Sequence, residues 1–306
     1  MKCLKNFIMT NNSKKLITHN GSFHADDIFA CATLCLMLEK NGETFEIIRT
    51  RDEEIIKTGD YVFDLGGIYD SKQNKFDHHQ PGGAGKRENG IEYSSFGLVW
   101  KKLGIEICGN QKIVDIIDKK LVAPVDAFDN GIDLVTNNYE VSPYFIEHAF
   151  ISMQPTWREG SLSENEMFFK SVEIAKEILK REIIQTQDAV LAEESVISIY
   201  KNSSDKKIIV LDKNYPCEYV LNNFPEPLFV IYPRENNTWS ARAVQDNPKT
   251  FINRKNFPKP WAGLRDEELA NVSGVRDAVF CHRGLFLAVA QSKEGAVKLA
   301  QIAVES

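Results

Sequence analysis

The most continuous apolar stretch of the chain covers residues 28–38, IFACATLCLML, long enough for a helix buried on every side. A short apolar entry at residues 15–18 precedes it, and HNGSFHADD lies between the two. The pattern predicts strand, loop and helix, so that His19, His24, Asp26 and Asp27 gather where the strand ends and the helix begins. Open α/β sheets place their ligands at such strand ends. Residues 45–50 read as a strand, 52–58 as a short helix and 61–65 (YVFDL) as a second apolar strand, which carries Asp64. A carboxylate on a buried strand is costly unless it is paired or bound to a cation. Gly66 and Gly67 permit a tight exit, and the chain then reaches FDHHQ at residues 76–80.

Beyond this point the glycine-rich run PGGAGKRENG (81–90) lacks the lysine and hydroxyl spacing of a phosphate-binding Walker loop and reads as a plain loop. Residues 94–103 predict a helix capped by Ser94, with Trp100 in the core. A helix at 111–121 is expected to be broken by Pro124, leaving Asp126, Asp129 and Asn130 in a turn or an early helix. Asp126 is the metal candidate there and Asp129 a local cap. His148 reads as an ordinary helix or core histidine. A long helix follows at 163–195, amphipathic and then acidic. Strands are expected at 195–200, 207–211, 228–232 and 239–244, then a strand pair at 278–281 and 285–289 around His282, Arg283 and Gly284, and a closing helix at 294–304. The fold class is α/β: an N-terminal domain (14–162) with a mainly parallel sheet flanked by helices, a connecting helix (163–195), and a smaller mixed α/β C-terminal domain (196–306). Two domains also suit a chain of 306 residues.

Composition narrows the picture further. No apolar run approaches the ~20 residues of a membrane-spanning helix, so no membrane association is expected. Six cysteines without a CxxC pair read as reduced core residues, which points to a soluble protein of the cytoplasm or of a reducing organelle. The lysine-bearing N-terminus reads as a short disordered leader. A net charge of -6 argues against a protein that coats nucleic acid. The charge is uneven, however: residues 228–306 hold eleven Lys or Arg against eight Asp or Glu, a mildly basic face suited to a phosphate-bearing substrate.

Taken singly, His19, His24, Asp26, Asp64, His78 and Asp126 each have an ordinary explanation as a helix cap or a satisfied imidazole. All six nevertheless fall at strand ends or loops of one expected sheet. Their mixture of carboxylate oxygen and imidazole nitrogen suits manganese or another borderline divalent ion better than calcium, and the lack of cysteine ligands argues against structural zinc. Six ligands exceed what one catalytic ion with an open position needs. A pair of ions sharing a carboxylate is the economical arrangement, with Asp64 as the bridge.

The order HNGSFHADD, an aspartate on a strand before Gly-Gly, DHHQ, IEYSSFGLVWKKLG and VDAFDNG resembles the melanocyte-proliferating-gene branch of the DHH phosphoesterase superfamily. The stretches YPRENNTWSARAV, WAGLRDEELANVSGV and FCHRGLFLAVAQSKEGAVKLA extend the resemblance through the C-terminal half. It implies a metal-dependent phosphodiesterase, a 3'-to-5' exonuclease on RNA or short oligonucleotides, in which a hydroxide bridging two Mn2+ (or Mg2+) ions attacks phosphorus. Carried over residue by residue, it makes His19, His24, Asp26, Asp64, His78 and Asp126 the metal ligands. His79 becomes the charge stabiliser or proton donor, and Asp77 the residue that orients the histidines. It also implies substrate contacts from Arg234, Arg242, Arg265, His282 and Arg283. One departure is that LAVA (287–290) stands where the branch usually bears Gly-Gly, which bears on substrate preference. Two other readings keep the ligands: a pyrophosphatase or small-molecule phosphoesterase, and a metal-stabilised binding protein without turnover. Oligomeric state is not legible.

Overall fold

A computed structural model describes residues 13–160, 162–247 and 250–306. The expected N-terminal leader, with Cys3, lies outside the described residues. Two compact units divide between Thr186 and Gln187.

In the first unit, β1 (Lys14–Thr18) lies between β2 (Phe45–Arg49) and β3 (Tyr61–Phe63) and is parallel to both. β5 (Lys75–Phe76) continues the parallel run beside β3, and β4 (Tyr69–Asp70) closes the edge antiparallel, giving the order β2-β1-β3-β5-β4. Because β1, β3 and β5 point the same way, the residues that follow them emerge on one edge of the sheet. Helix α1 (Ala25–Lys40) is buried from Ala25 to Leu38, as its unbroken apolar run requires. A four-residue α2 (Glu53–Ile56) follows, capped by Asp52, which accepts from the Glu54 amide at 2.9 Å.

Helix α3 (Ser95–Cys108) packs on α1 through stacked Phe29 and Phe96, whose centroids are 5.0 Å apart. Trp100 is 1% exposed and belongs to the core. Ser94 precedes α3, but its hydroxyl makes no cap bond; it donates instead to Asp126 at 2.5 Å. α4 (Gln111–Ile117) does not stop before Pro124. It passes through a π-helical turn (Asp118–Val122) into α5 (Ala123–Asp129). The wider turn and the position of Pro124 at the start of α5, where no amide donor is needed, accommodate the ring. Asp126 and Asp129 therefore both lie within α5. A short α6 (Ile146–Ile151) precedes α7 (Glu164–Asn202), whose Phe168, Val172, Ala175, Leu179 and Ile183 are buried at helical spacing.

The strand expected at 195–200 is the last part of α7. SVISIY alternates like a strand, but Val196 and Tyr200, four apart, are buried on one helix face against Ile209 and Leu211. The second unit is a mixed sheet in the order β6-β7-β8-β10-β9. β6 (Ile208–Val210) and β7 (Phe229–Pro233) are parallel. β8 (Trp239–Ala243), β9 (Ala278–Cys281) and β10 (Leu287–Ala290) complete it with antiparallel pairs. α8 (Glu218–Leu221), α9 (Asp266–Ser273) and α10 (Lys293–Glu305) accompany the sheet. Ala288 and Ala290 are buried in the same cluster as Leu299 and Ala303 of α10. Ala288 and Ala290 of the LAVA stretch are thus core residues. The five described cysteines, Cys31, Cys35, Cys108, Cys217 and Cys281, are buried thiols.

Candidate metal centre

Each strand of the parallel run delivers its chemistry just past its last residue. β1 ends at Thr18 and presents His19, which is 6% exposed. The first turn of α1 supplies Asp26 and Asp27, both buried, and Asp27 accepts the His24 amide at 2.9 Å, which ties the loop to the helix start. β3 ends at Phe63, and Asp64 follows with a φ of 52°, the left-handed region that only a few residue types tolerate. That conformation directs its carboxylate among the histidines instead of along the strand. β5 ends at Phe76 and releases Asp77, His78 and His79.

These groups converge. His19 Nε2 lies 3.1 Å from Asp64 Oδ2 and 3.3 Å from Asp27 Oδ2. His78 Nε2 lies 3.3 Å from Asp64 Oδ1, 3.3 Å from Asp129 Oδ2 and 3.9 Å from Asp26 Oδ2. Asp64 therefore turns one oxygen to His19 and the other to His78. Three ligand sets result: His19, Asp27 and Asp64; Asp64, His78 and His79, which shares Asp64 with the first; and, separately, His24, Asp26 and Asp129. Asp77 stands behind them. Its Oδ1 accepts the His78 amide at 2.7 Å and the His79 amide at 3.1 Å, and lies 2.8 Å from His79 Nδ1; its Oδ2 accepts the Gly67 amide at 2.5 Å. His79 is 63% exposed at the side chain, which leaves its other nitrogen free to meet solvent or a ligand.

Electrostatics single out the same place. Burial works against a charge on His19, but Asp27 and Asp64 outweigh it and lift the imidazole to about 10. His78 is raised in the same way by Asp64 and Asp129, and His79 chiefly by its bond to Asp77. Burial also opposes the charge on Asp64, yet His19 and His78 hold it well below the usual carboxylate range. Burial raises Asp26, with the charges of Asp64, Asp129 and Asp27 adding to it; Asp27 and Asp129 are raised by burial as well. Buried carboxylates this close to one another need protons, imidazolium ions or a cation as counter-charge. In addition, Asp26 Oδ1, Asp27 Oδ2, Asp64 Oδ1 and His78 Nε2 are buried without a well-formed hydrogen bond among the described residues, the last three being held by the 3.3 Å charge contacts given above. Buried polar atoms are nearly always paired. Divalent cations held by these ligand sets would satisfy them, and the mixture of carboxylate oxygen and imidazole nitrogen suits a borderline divalent ion.

Asp126 requires a correction, because the structure does not bring it into this cluster. It is buried with its Oδ1 accepting from Ser94 Oγ at 2.5 Å and the Gly97 amide at 3.0 Å, and its Oδ2 2.7 Å from Arg87 Nη1. Arg87 also grips Asp118 with two bonds of 2.9 and 2.7 Å and lies 4.4 Å over the Tyr93 ring. These bonds tie the glycine-rich loop to the helix. Asp129, three residues further along α5, reaches His78 instead. Asp27 and Asp129 are thus ligand candidates that sequence reasoning set aside, the first beside Asp26 and the second as a cap. Glu147 was missed entirely. It is 5% exposed, borders the same site and bears an unpartnered Oε1, and no motif marks it. His148 beside it is a satisfied histidine whose Nδ1 accepts the Phe145 amide at 3.0 Å.

The expected substrate-contact residues all lie on the second unit. Arg242 on β8 pairs with Glu218 at 2.7 Å. Arg265 lies 4.5 Å over the Phe280 ring. His282 and Arg283 occupy the β9–β10 connection, where His282 Nδ1 accepts the Gly284 amide at 2.9 Å. Arg234 is exposed just beyond β7.

A family model described as "Uncharacterised protein family (UPF0160)" matches residues 15–304. MYG1 exonuclease of Rattus norvegicus is 31% identical over 324 residues, covering 93% of this chain and 83% of that protein. MYG1 exonuclease of Homo sapiens is 30% identical over 325 residues, with 93% and 84% covered. The MYG1 protein of Chlamydia trachomatis serovar D is 30% identical over 294 residues, with 90% and 92% covered. Among solved structures, RecJ in complex with Mn2+ from Thermus thermophilus is 12% identical with a TM-score of 0.30; it covers 96% of this chain, which spans 52% of that one. No described helix is long and apolar enough to cross a membrane. With a family model matched almost from end to end and relatives about 30% identical over nine-tenths of its length, the chain belongs to the MYG1 exonuclease family, UPF0160.

Proposed function

We propose that this metal-dependent hydrolase of the nuclease class removes nucleotides from the 3' end of RNA or short oligonucleotides. The observation that carries the reading is the set of four buried ligand atoms without a well-formed hydrogen bond on Asp26, Asp27, Asp64 and His78 at one edge of the parallel sheet. Mammalian relatives named exonuclease support the substrate class. His19, His24, Asp26, Asp27, Asp64, His78 and Asp129 would hold two divalent ions, with Asp64 shared. The ions supply acidification of a water and neutralisation of charge on the phosphoryl oxygens. The protein's own part is positional. Asp77 accepts the backbone amides of His78 and His79 and holds the Nδ1 of His79, so that the exposed Nε2 points outward as a donor to a phosphate oxygen or leaving group. The same bond raises the His79 imidazole above its ordinary value, in the direction that favours a proton there. Arg234, Arg242, Arg265, His282 and Arg283 serve as phosphate contacts on the second unit.

The test is a 5'-labelled short RNA incubated with Mn2+ and either wild type or an Asp64→Asn, His78→Ala double variant. Stepwise shortening from the 3' end, reduced by roughly 100-fold or more in the variant, is expected. RNA left intact by the wild type, with inorganic pyrophosphate hydrolysed, would replace the nuclease reading by the pyrophosphatase one.

A further inference from the structure

Beside the metal centre lies a cavity of about 300 Å³ lined by His24, Ala25, Asp26, Val125, Phe128, Asp129, Glu147 and Ile151. A volume of this order is at the lower end for small-molecule sites. Its walls differ in kind. His24, Asp26 and Asp129 form the side shared with the ligand sets, whereas Val125, Phe128 and Ile151 are apolar. Phe128 and Ile151 remain 38% and 46% exposed, an apolar rim that the fold itself leaves uncovered. In that setting stands Glu147, 5% exposed, with an Oε1 that has no hydrogen-bond partner among the described residues. A carboxylate oxygen buried to this degree without a partner is unfavourable for folding. Its place in the wall of a ligand-sized cavity indicates a partner that arrives from outside.

The chemistry of that partner follows from position. If a phosphate sits at the metal centre, the group next to it is a sugar, and the cavity is next to it too. The unpartnered Oε1 offers two acceptor lone pairs, which match two vicinal hydroxyls. Acidic residues in dinucleotide-binding folds take a ribose hydroxyl in this manner, and the 2'-hydroxyl is what distinguishes RNA from DNA at a given site. We propose that Glu147 recognises the ribose cis-diol of a ribonucleotide whose phosphate lies at the metal centre, with the base against Phe128 and Ile151. This rests on the phosphoryl-transfer reading above. A free 3' end of RNA presents both hydroxyls, an internal nucleotide only one, and a DNA end only one. The same cis-diol occurs in a free mononucleotide.

Two measurements decide it. In the first, Mn2+-loaded wild type, Glu147→Gln and Glu147→Leu are titrated calorimetrically with adenosine 5'-monophosphate and its 2'-deoxy counterpart. The wild type should favour the ribose form by roughly tenfold or more, as expected for hydrogen bonds to a charged group, and the preference should shrink towards one in both variants. In the second, turnover is compared on two oligonucleotides that differ only in the 3'-terminal sugar, and the ratio should collapse in the same variants. Glu147→Gln removes the buried charge and Glu147→Leu removes the unpartnered oxygen with it, so both should melt at or above the wild-type temperature; a scaffolding role would lower it. Equal affinity of the wild type for the two mononucleotides, or equal weakening of both in the variants, overturns the proposal. Turnover of neither oligonucleotide defeats the nuclease reading, and the mononucleotide ratio still decides the role of Glu147. Turnover of both oligonucleotides with an unchanged ratio in the variants defeats the role of Glu147 alone.

Discussion

Asp126 and Asp129 lie three residues apart in one helix, yet their carboxylates serve different purposes. Asp129 meets His78, while Asp126 is locked to Ser94, Gly97 and Arg87. Burial raises Asp126 to about 6 from an ordinary value near 3.8, and the Arg87 charge offsets only part of that effect. The folded protein therefore holds this proton more tightly than the unfolded chain. Stability owed to it is complete below about 3.8 and is lost as pH rises to about 6, on the order of 3 kcal/mol. Between pH 4 and 7, urea denaturation should show the wild type losing that much more stability than Asp126→Asn, which cannot titrate. Parallel profiles for the two proteins would contradict the assignment. Sequence alone had no means of choosing between the two aspartates. Both follow Pro124 in VDAFDNG, and the choice depends on Arg87, which comes from a loop 39 positions earlier. Asp64, by contrast, was legible as an acid closing an apolar strand. Its left-handed backbone, which turns its two oxygens toward two histidines, was not.

At the scale of elements, α3 can lie close to α5 only because position 97 is glycine. A Cβ there would collide with the Asp126 carboxylate and come within 2.9 Å of Tyr93. Gly97→Ala should destabilise the protein by about 1–3 kcal/mol, as overpacking does. The cost should shrink in an Asp126→Ala background, where the obstructing group is gone. Thermal melts of the four proteins of this cycle provide the check, and additive losses would show that the clash is relieved some other way. Long apolar or amphipathic patterns announced α1, α3 and α7 well, because burial along a whole face leaves its period in the residues. Boundaries and breaks were harder. Pro124 reads as a stop, but the π-helical turn before it carries the helix onward. SVISIY reads as a strand, but the preceding helix continues through it because Val196 and Tyr200 fall on its buried face. In both places tertiary packing overrides the local signal, and the consequence for the site is real: the uninterrupted passage into α5 is what sets Asp129 in place.

At the scale of the whole chain, the ligand candidates all belong to the first unit and the expected phosphate contacts to the second. The ligands come from β1, α1, β3, β5 and α5, elements that meet only at the sheet edge, so a bound cation would bind their ends together and relieve the repulsion among Asp26, Asp27, Asp64 and Asp129. Metal binding should therefore slow amide hydrogen exchange at residues 18–28, 63–67, 76–80 and 123–130, while residues 208–233 and 278–304 of the second sheet and its last helix exchange as before. A chelator should reverse the change and lower the melting temperature of the first unit. The expected size follows from mass action: saturation at 100 times the dissociation constant adds about 2.7 kcal/mol, enough to slow globally limited exchange by roughly 100-fold at the sheet edge. Protection that spread equally over the second sheet would mean that the ion couples the two units, and the metal centre would then act on the folding of the entire chain and not of its first half alone.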